Sequence, residues 1–282
     1  MSDRPAPTLA ARLRQLTLVL GNRLETELLL AHVLGVERSW LYAHGEAPLT
    51  PAQQSALDEL ATRRLDGEPM AYLLGFREFY GREFRVTPAV LIPRPETELL
   101  VDAGLEILGS DDTSVLDVGT GSGCIALTLA AERPDWQVTA VDLSSAALAV
   151  CRDNAARLNL ARVELLHGDL LKPVQGRRFD AILSNPPYVA AGDSHLDQGD
   201  LRFEPDMALS ADDEGLSVIR RLVQQAPRHL HAGGCLLIEH GYDQAAQVRA
   251  LLDQQGFIGI ESRCDLAGIE RITLGRLAHP RG

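Results

Sequence analysis

The chain has 282 residues, 45% of them hydrophobic and 23% charged, which is the balance of an ordinary globular protein of one large or two modest domains. Its net charge of −12 argues against a general affinity for nucleic acid, which requires a basic footprint, and against an acidic membrane surface. No apolar run approaches the ~20 residues of a membrane helix, the N-terminus leads to no long apolar core, and neither a signal peptide nor a membrane span is expected. Four cysteines without a CxxC pair, and eight histidines without an HExxH or HxH cluster, predict free thiols in a reducing compartment, no metal site, and a cytoplasmic protein.

Residues 1–74 read as helices only. Leu9, Leu13, Leu16 and Leu20 recur at helical spacing, a second block runs from Glu25 to Leu34 before Gly35, and Thr50-Pro51 supplies an N-cap and a first helical residue for a third helix. This predicts a small helical bundle with a recognition or support role. Between Tyr72 and Ile92 aromatic and β-branched residues alternate loosely around Gly81, which predicts a β-hairpin (residues 75–92) joining two domains.

Residues 93–282 alternate strand and helix. The segment Pro93 to Glu98 leads into a helix from Leu99 to Leu108. Strands are expected at Val115–Val118, Gln137–Val141, Val163–Leu166, Phe179–Leu183 and Cys235–Glu239. Helices are expected at Ile125–Glu132, Ala146–Leu158, Gly215–His229 and Tyr242–Gln254. Two final strands, Phe257–Arg263 and Ile269–Leu274, have no helix between them and are expected to be antiparallel. The expected fold is α/β, a doubly wound, mostly parallel Rossmann-like sheet with an antiparallel edge strand, joined by the hairpin to the helical bundle. Val189 to Glu214 shows no clear period and reads as a lid or substrate-docking loop.

Two stretches carry the chemistry. Between the first strand and helix of the α/β region, Gly119, Thr120, Gly121, Ser122 and Gly123 form a G-x-G-x-G turn preceded by Asp117, whose glycines permit a tight turn and close ligand approach. Asp142 ends the second strand, 19 residues after Gly123, where a carboxylate can accept both ribose hydroxyls of an adenosine group. Asp169, after the third strand, can accept from the adenine amino group. These features fit adenosine without distinguishing S-adenosylmethionine from NAD.

The second stretch is Ser184-Asn185-Pro186-Pro187-Tyr188. Two prolines end the fourth strand because neither donates a backbone N–H. The Asn185 side-chain oxygen and the Pro186 carbonyl are two stiffly held acceptors that match the two N–H bonds of a planar NH2 group, over which Tyr188 can lay its ring. Fixing that group and aiming its nitrogen at a sulfonium methyl favours methyl transfer by orientation, and the acceptors favour the charge that grows on nitrogen. Hydride transfer has no use for such a pair, so the cofactor expected is S-adenosyl-L-methionine, leaving S-adenosyl-L-homocysteine.

Asn185-Pro186-Pro187-Tyr188 with Asp117 to Gly123 resembles the amino-methyltransferases that use S-adenosylmethionine. Together with Tyr72-Leu73-Leu74-Gly75, Phe84-Arg85-Val86, Leu91 to Glu98 and Arg202-Phe203-Glu204-Pro205, the chain resembles the PrmC/HemK family, the peptide chain release factor glutamine N5-methyltransferases. The resemblance implies methylation of the glutamine of the GGQ loop in class 1 release factors. Gly119 to Gly123 would hold the methionine part of the cofactor, Asp142 its ribose, Asn185 and Pro186 the substrate amide, and the helical domain the release factor. Some relatives carry an aromatic residue beside the adenine where this chain has Leu170, so apolar packing would replace stacking there. The alternatives are a methyltransferase acting on an adenine or guanine amine of nucleic acid, disfavoured by the acidic charge, and a nucleotide-binding adaptor, which would have no need of Asn185.

Overall fold

A computed structural model describes residues 7–109, 112–190, 192, 199–212 and 214–279. The chain divides into two compact units at Gly75/Phe76.

The first unit is all helical: α1 (Leu9–Leu20), α2 (Arg23–Leu34), α3 (Arg38–Ala43), α4 (Pro51–Leu65) and α5 (Met70–Leu74). Local sequence sets the helix ends. Thr8, Asn22 and Thr50 accept first-turn N–H groups through their side chains, Thr50 forms a reciprocal capping box with Gln53, and Gly21, Gly35 and Gly75 close helices in the left-handed conformation. Leu9, Leu16, Leu29, Leu30, Leu57 and Leu73 meet in its core. Glu27 is a buried charged residue beside this core. It is 2% exposed and accepts from Arg23 (2.8 Å), Arg38 (2.9 Å) and Tyr42 (2.8 Å). The Arg23 bond foremost, then Arg38 and Tyr42, holds its carboxyl down to about 2 against the opposing effect of burial.

The second unit opens with the hairpin β1 (Phe76–Phe79) and β2 (Arg82–Arg85), turned by Tyr80 and Gly81, both at positive φ. The hairpin is shorter than the alternating stretch suggests: Tyr72 belongs to α5, and 86–92 runs without strand pairing. Phe79 and Phe84 are core residues of this unit, with Tyr80 packed against that core. Phe79 and Phe84 pack edge-on with centroids 6.0 Å apart, and Asn154 bonds the backbone of Arg85 in both directions, at 2.7 and 3.0 Å.

Then follow α6 (Glu98–Leu108), β3 (Ser114–Val118), α7 (Cys124–Glu132), β4 (Gln137–Asp142), α8 (Ser145–Arg157), β5 (Glu164–His167), β6 (Phe179–Ser184), β7 (Val189–Ala190), α9 (Asp206–Leu209), β8 (Ser210–Ala211), α10 (Ser217–Gln225), β9 (Leu230–Glu239), α11 (Ala245–Gln254), β10 (Phe257–Cys264) and β11 (Glu270–Leu277). Seven strands form one sheet in the order β10-β11-β9-β6-β3-β4-β5. β5, β4, β3, β6 and β9 are parallel. β11 is antiparallel to both β9 and β10, so the reversed strand is second from the edge rather than at it.

Side chains alternate between two apolar layers, as the strand period requires. Val115, Ala181, Leu183 and Leu237 face one layer, with α6, α7 and the hairpin rings. Leu116, Ile182, Leu236 and Ile238 face the other, with α10 and α11. The chain passes from β3 outward to β5 and returns to the opposite side of β3 with β6. The carboxyl ends of β3 and β6 therefore flank the switch point of the sheet, where open α/β sheets have their ligand crevice.

Within the expected loop from Val189 to Glu214, β7 and β8 pair in parallel, a turn of 3-10 helix spans Leu201–Phe203, and α9 precedes β8; residues 191, 193–198 and 213 lie outside the described set. α11 begins three residues later than the sequence pattern suggests, because the Gln244 side chain accepts the Gly241 N–H at 2.9 Å and closes a turn first. Strand β9 begins at Leu230, five residues earlier than its apolar run, because the irregular pairing between Phe179 and Ala181 accommodates Gly233 and Gly234. Among the described residues, no helix is long and apolar enough to cross a membrane.

Candidate active site

One cleft at the switch point is lined by the turn after β3, the ends of β4 and β6, the segments 89–97 and 205–208, and α10. Of the residues singled out in the sequence, Gly119, Thr120, Gly121, Ser122, Asp142, Asp169, Leu170, Asn185, Pro186 and Pro187 line it.

The glycine turn is built for three separate reasons. Gly119, Gly121 and Gly123 have φ of +77°, +55° and +85°, the left-handed region that glycine enters without strain. A Cβ on Gly119 or Gly121 would meet nothing within 4 Å, so the backbone there stands beside open space. Gly123 differs, since its Cβ would lie 2.6 Å from Cys151 Sγ and 2.9 Å from Leu127. It is the contact that lets α7 start against α8, and it does not line the cleft.

Beneath the turn, Asp117 is fully buried. Its Oδ2 accepts from the Thr120 hydroxyl (2.6 Å) and the Ala126 N–H (3.2 Å), while Oδ1 has no partner among the described residues. Burial pushes its carboxyl up to about 7 against the lowering effect of those two bonds. Asp142 ties the turn to β4: Oδ2 accepts the Gly121 N–H and Oδ1 the Ser144 N–H, both at 2.8 Å. A carboxylate has about four acceptor positions, so two remain for a ligand diol. Burial raises its pKa. Asp169 pairs through Oδ2 with Lys172 (2.9 Å) and with Arg221 of α10 (2.6 Å), and these, Lys172 foremost, lower its pKa. Leu170 holds a left-handed φ of +50°, unusual for a branched residue, with its side chain against the apolar layer. Open backbone at Gly119 and Gly121, a carboxylate with spare acceptors and an apolar Leu170 together fit a nucleoside with a zwitterionic tail.

At the end of β6, the Asn185 Nδ2 donates to the Thr97 hydroxyl at 3.1 Å. Its side-chain oxygen is thereby the end available as an acceptor. Pro186 is buried and Pro187 half-buried beside it. Tyr188 is not among the cleft-lining residues. Its ring packs against the α10/α11 layer, its hydroxyl donates to Glu239 at the long distance of 3.5 Å, and its backbone carbonyl accepts from Gln244 at 3.0 Å. Burial pushes its phenol pKa up. Gly215 explains the close path of the chain here, since a Cβ on it would come within 2.0 Å of the Tyr188 carbonyl oxygen.

Residues 9–75 match the family model described as the PrmC N-terminal domain, and residues 96–200 match the methyltransferase small domain. The chain is 54% identical over 257 residues to a release factor glutamine methyltransferase of Bordetella pertussis, covering 90% of this chain and 95% of that one. It is 52% identical to one from Neisseria gonorrhoeae, covering 90% and 93%. The chain belongs to the release factor glutamine methyltransferase family. A solved methyltransferase from Pyrococcus furiosus shares the fold, with a TM-score of 0.55 at 18% identity over 79% of this chain and 100% of that one.

For a methyltransferase of this family, three cleft features had no signal in the sequence patterns considered above. Thr97 holds Asn185 from the turn before α6, a partner 88 residues away in the chain. Arg221 reaches Asp169 from α10 across 52 residues. Glu204 pairs with Arg94 and accepts the Ile92 N–H at 2.9 Å, which brings Pro205, Met207 and Ala208 to the cleft. Arg94, Thr97 and Glu204 lie in the family-like segments; Arg94 is also marked by its place between Pro93 and Pro95, whereas resemblance alone marked Thr97 and Glu204. Among the described residues, no group of three or more His, Cys, Asp or Glu side chains is placed to hold a metal ion.

Proposed function

We propose that this chain transfers a methyl group from S-adenosylmethionine to the side-chain amide nitrogen of the glutamine in the GGQ motif of class 1 peptide chain release factors. The observation that carries the chemistry is the Asn185–Thr97 bond of 3.1 Å, because it commits the Asn185 NH2 and leaves its oxygen to accept an N–H. With the Pro186 carbonyl this makes two acceptors at one strand end, the requirement for holding a planar amide NH2.

Gly119, Thr120, Gly121 and Ser122 would hold the methionine portion of the cofactor, Asp142 the ribose hydroxyls, and Asp169 with Leu170 the adenine edge and face. When bound, S-adenosylmethionine supplies an electrophilic methyl group. The protein's part is to orient and to stabilise. Asn185 and Pro186 accept both amide N–H bonds, turn the nitrogen toward the cofactor side of the cleft, and favour the positive charge that grows on it. The helical first unit is the proposed grip for the release factor, and the cytoplasm, where that substrate acts, the proposed location.

The test supplies labelled S-adenosylmethionine with either a release factor or DNA. Label is expected in the release factor and lost when its GGQ glutamine is replaced; label in DNA alone would favour a nucleic-acid amine as substrate. Asn185→Ala is expected to lower kcat by roughly 100-fold or more, with cofactor Kd changed only a few-fold. An equal loss of cofactor affinity would show that Asn185 serves the cofactor instead.

A further inference from the structure

Glu239 is a buried carboxylate that the reading above does not use. Ser184 on β6 is in register with Ile238 on β9, so Asn185 and Glu239 are the next residues of adjacent parallel strands. Glu239 is 1% exposed. Its Oε1 takes the Tyr188 hydroxyl, and its Oε2 has no hydrogen-bond partner among the described residues. Burial pushes the carboxyl up to about 7. The Thr97 hydroxyl opposes that rise most strongly, Tyr188 and Arg271 also oppose it, and Glu96 adds to it; Cys124 also faces this carboxylate. Thr97, itself 2% exposed, accepts the Asn185 N–H, and its hydroxyl is the group that most favours the ionised form of Glu239.

A hydroxyl has one hydrogen to give. Thr97 receives the Asn185 N–H, so its own hydrogen is free to be given to Glu239. An ionised carboxylate only accepts, so the donors then run one way: Asn185 to Thr97 to Glu239. We propose that Glu239, acting through Thr97, is the positioning residue that fixes the side-chain amide of Asn185 with its oxygen toward the substrate. This rests on the reading of Asn185 as a substrate acceptor. A protonated Glu239 can itself donate to Thr97. The chain of donors can then reverse, Asn185 can turn its NH2 to the cleft, and donor meets donor at the glutamine amide, an unmade bond that costs more than a simple loss. Activity is therefore present while Glu239 is ionised and falls as pH drops through its pKa.

The test measures kcat against pH, with release factor and S-adenosylmethionine, for the whole protein and for Glu239→Gln, Thr97→Val and Thr97→Ser. The acid limb of the wild-type profile is expected near neutral pH. Glu239→Gln and Thr97→Val are expected to lower kcat about 10–100-fold, an effect of roughly 1.4–2.8 kcal/mol, and to flatten that limb. Their Kd for S-adenosylhomocysteine by calorimetry is expected to stay within about threefold. Thr97→Ser, which keeps the hydroxyl, retains both rate and limb. If Glu239→Gln does not fold, the Val/Ser pair at Thr97 decides alone. Wild-type rates in Thr97→Val, or a lowered rate with the acid limb intact in either variant, would overturn the proposal. Asn185→Ala separates the two readings: an active Asn185→Ala overturns the acceptor role itself, whereas an inactive one beside a fully active Thr97→Val overturns only the role of Glu239.

Discussion

Glu204 and Arg94, 110 residues apart in the chain, form an ion pair at the edge of the cleft, and the Glu204 carboxylate is the fully buried partner. Burial raises its pKa despite Arg94, and its second oxygen accepts the Ile92 N–H. One side chain thus joins the segment before α6 to the segment that carries Pro205 and Met207. Glu204→Ala orphans a buried N–H and a half-buried guanidinium, a type of loss that costs about 3–5 kcal/mol when a buried pair is broken. The expected result is faster protease cleavage within 199–212 and a raised KM for the release factor. Glu204→Gln keeps an acceptor for Ile92 and is expected to fall between the two. Wild-type cleavage and KM in the Ala variant would show that the pair does not hold the segment.

Asp142 links turn and ligand through one carboxylate. Replacing it with Ala removes two charge-assisted acceptors for the ribose and releases the N–H groups of Gly121 and Ser144. Cofactor affinity is expected to fall by about 2–3 kcal/mol, roughly 30–150-fold. Calorimetric titration with S-adenosylhomocysteine measures this, and a change below about threefold would remove Asp142 from the cofactor site.

Gly123 separates packing from ligand binding. Gly123→Ala is expected to lower stability by about 1–3 kcal/mol, because its Cβ would strike Cys151 Sγ and Leu127 at a φ that disfavours side chains. Cys151→Ala removes the nearest atom and should recover part of that loss but not the backbone strain. Thermal melts of the single and double variants check it; a double variant no better than Gly123→Ala would mean that the Cys151 contact is not a source of the loss.

Glu27 gives the helical unit a pH signature. Its folded-state pKa of about 2 lies below the ordinary 4.5. The stability it adds is therefore fully present above about pH 4.5 and is lost as pH falls through about 2. Glu27→Gln is expected to lower Tm by several degrees at pH 7, with the gap to wild type narrowing between those two pH values. A gap that stays constant across the window would show that charge at Glu27 is not the source.

The sequence alone determined the order of the main-sheet strands and their flanking helices, the helix cap at Thr50, and the two chemical turns at the ends of β3 and β6, but not the short α3, α5, α9, β7 and β8. These are readable because their causes are local: a glycine that must take positive φ, a proline that lacks an N–H, a hydroxyl or carboxylate that accepts a nearby N–H. It also carried the family, through segments spread along the chain. Only the tertiary structure decided what each site residue touches. That Phe79 and Phe84 belong to the second unit's core, that the Tyr188 hydroxyl meets Glu239, and that Asn185 is held by Thr97 near a buried Glu239 all depend on contacts between residues 50 to 90 apart. Such contacts follow from strand order and register, and register is set by the packing of whole faces. No short stretch of residues contains that information.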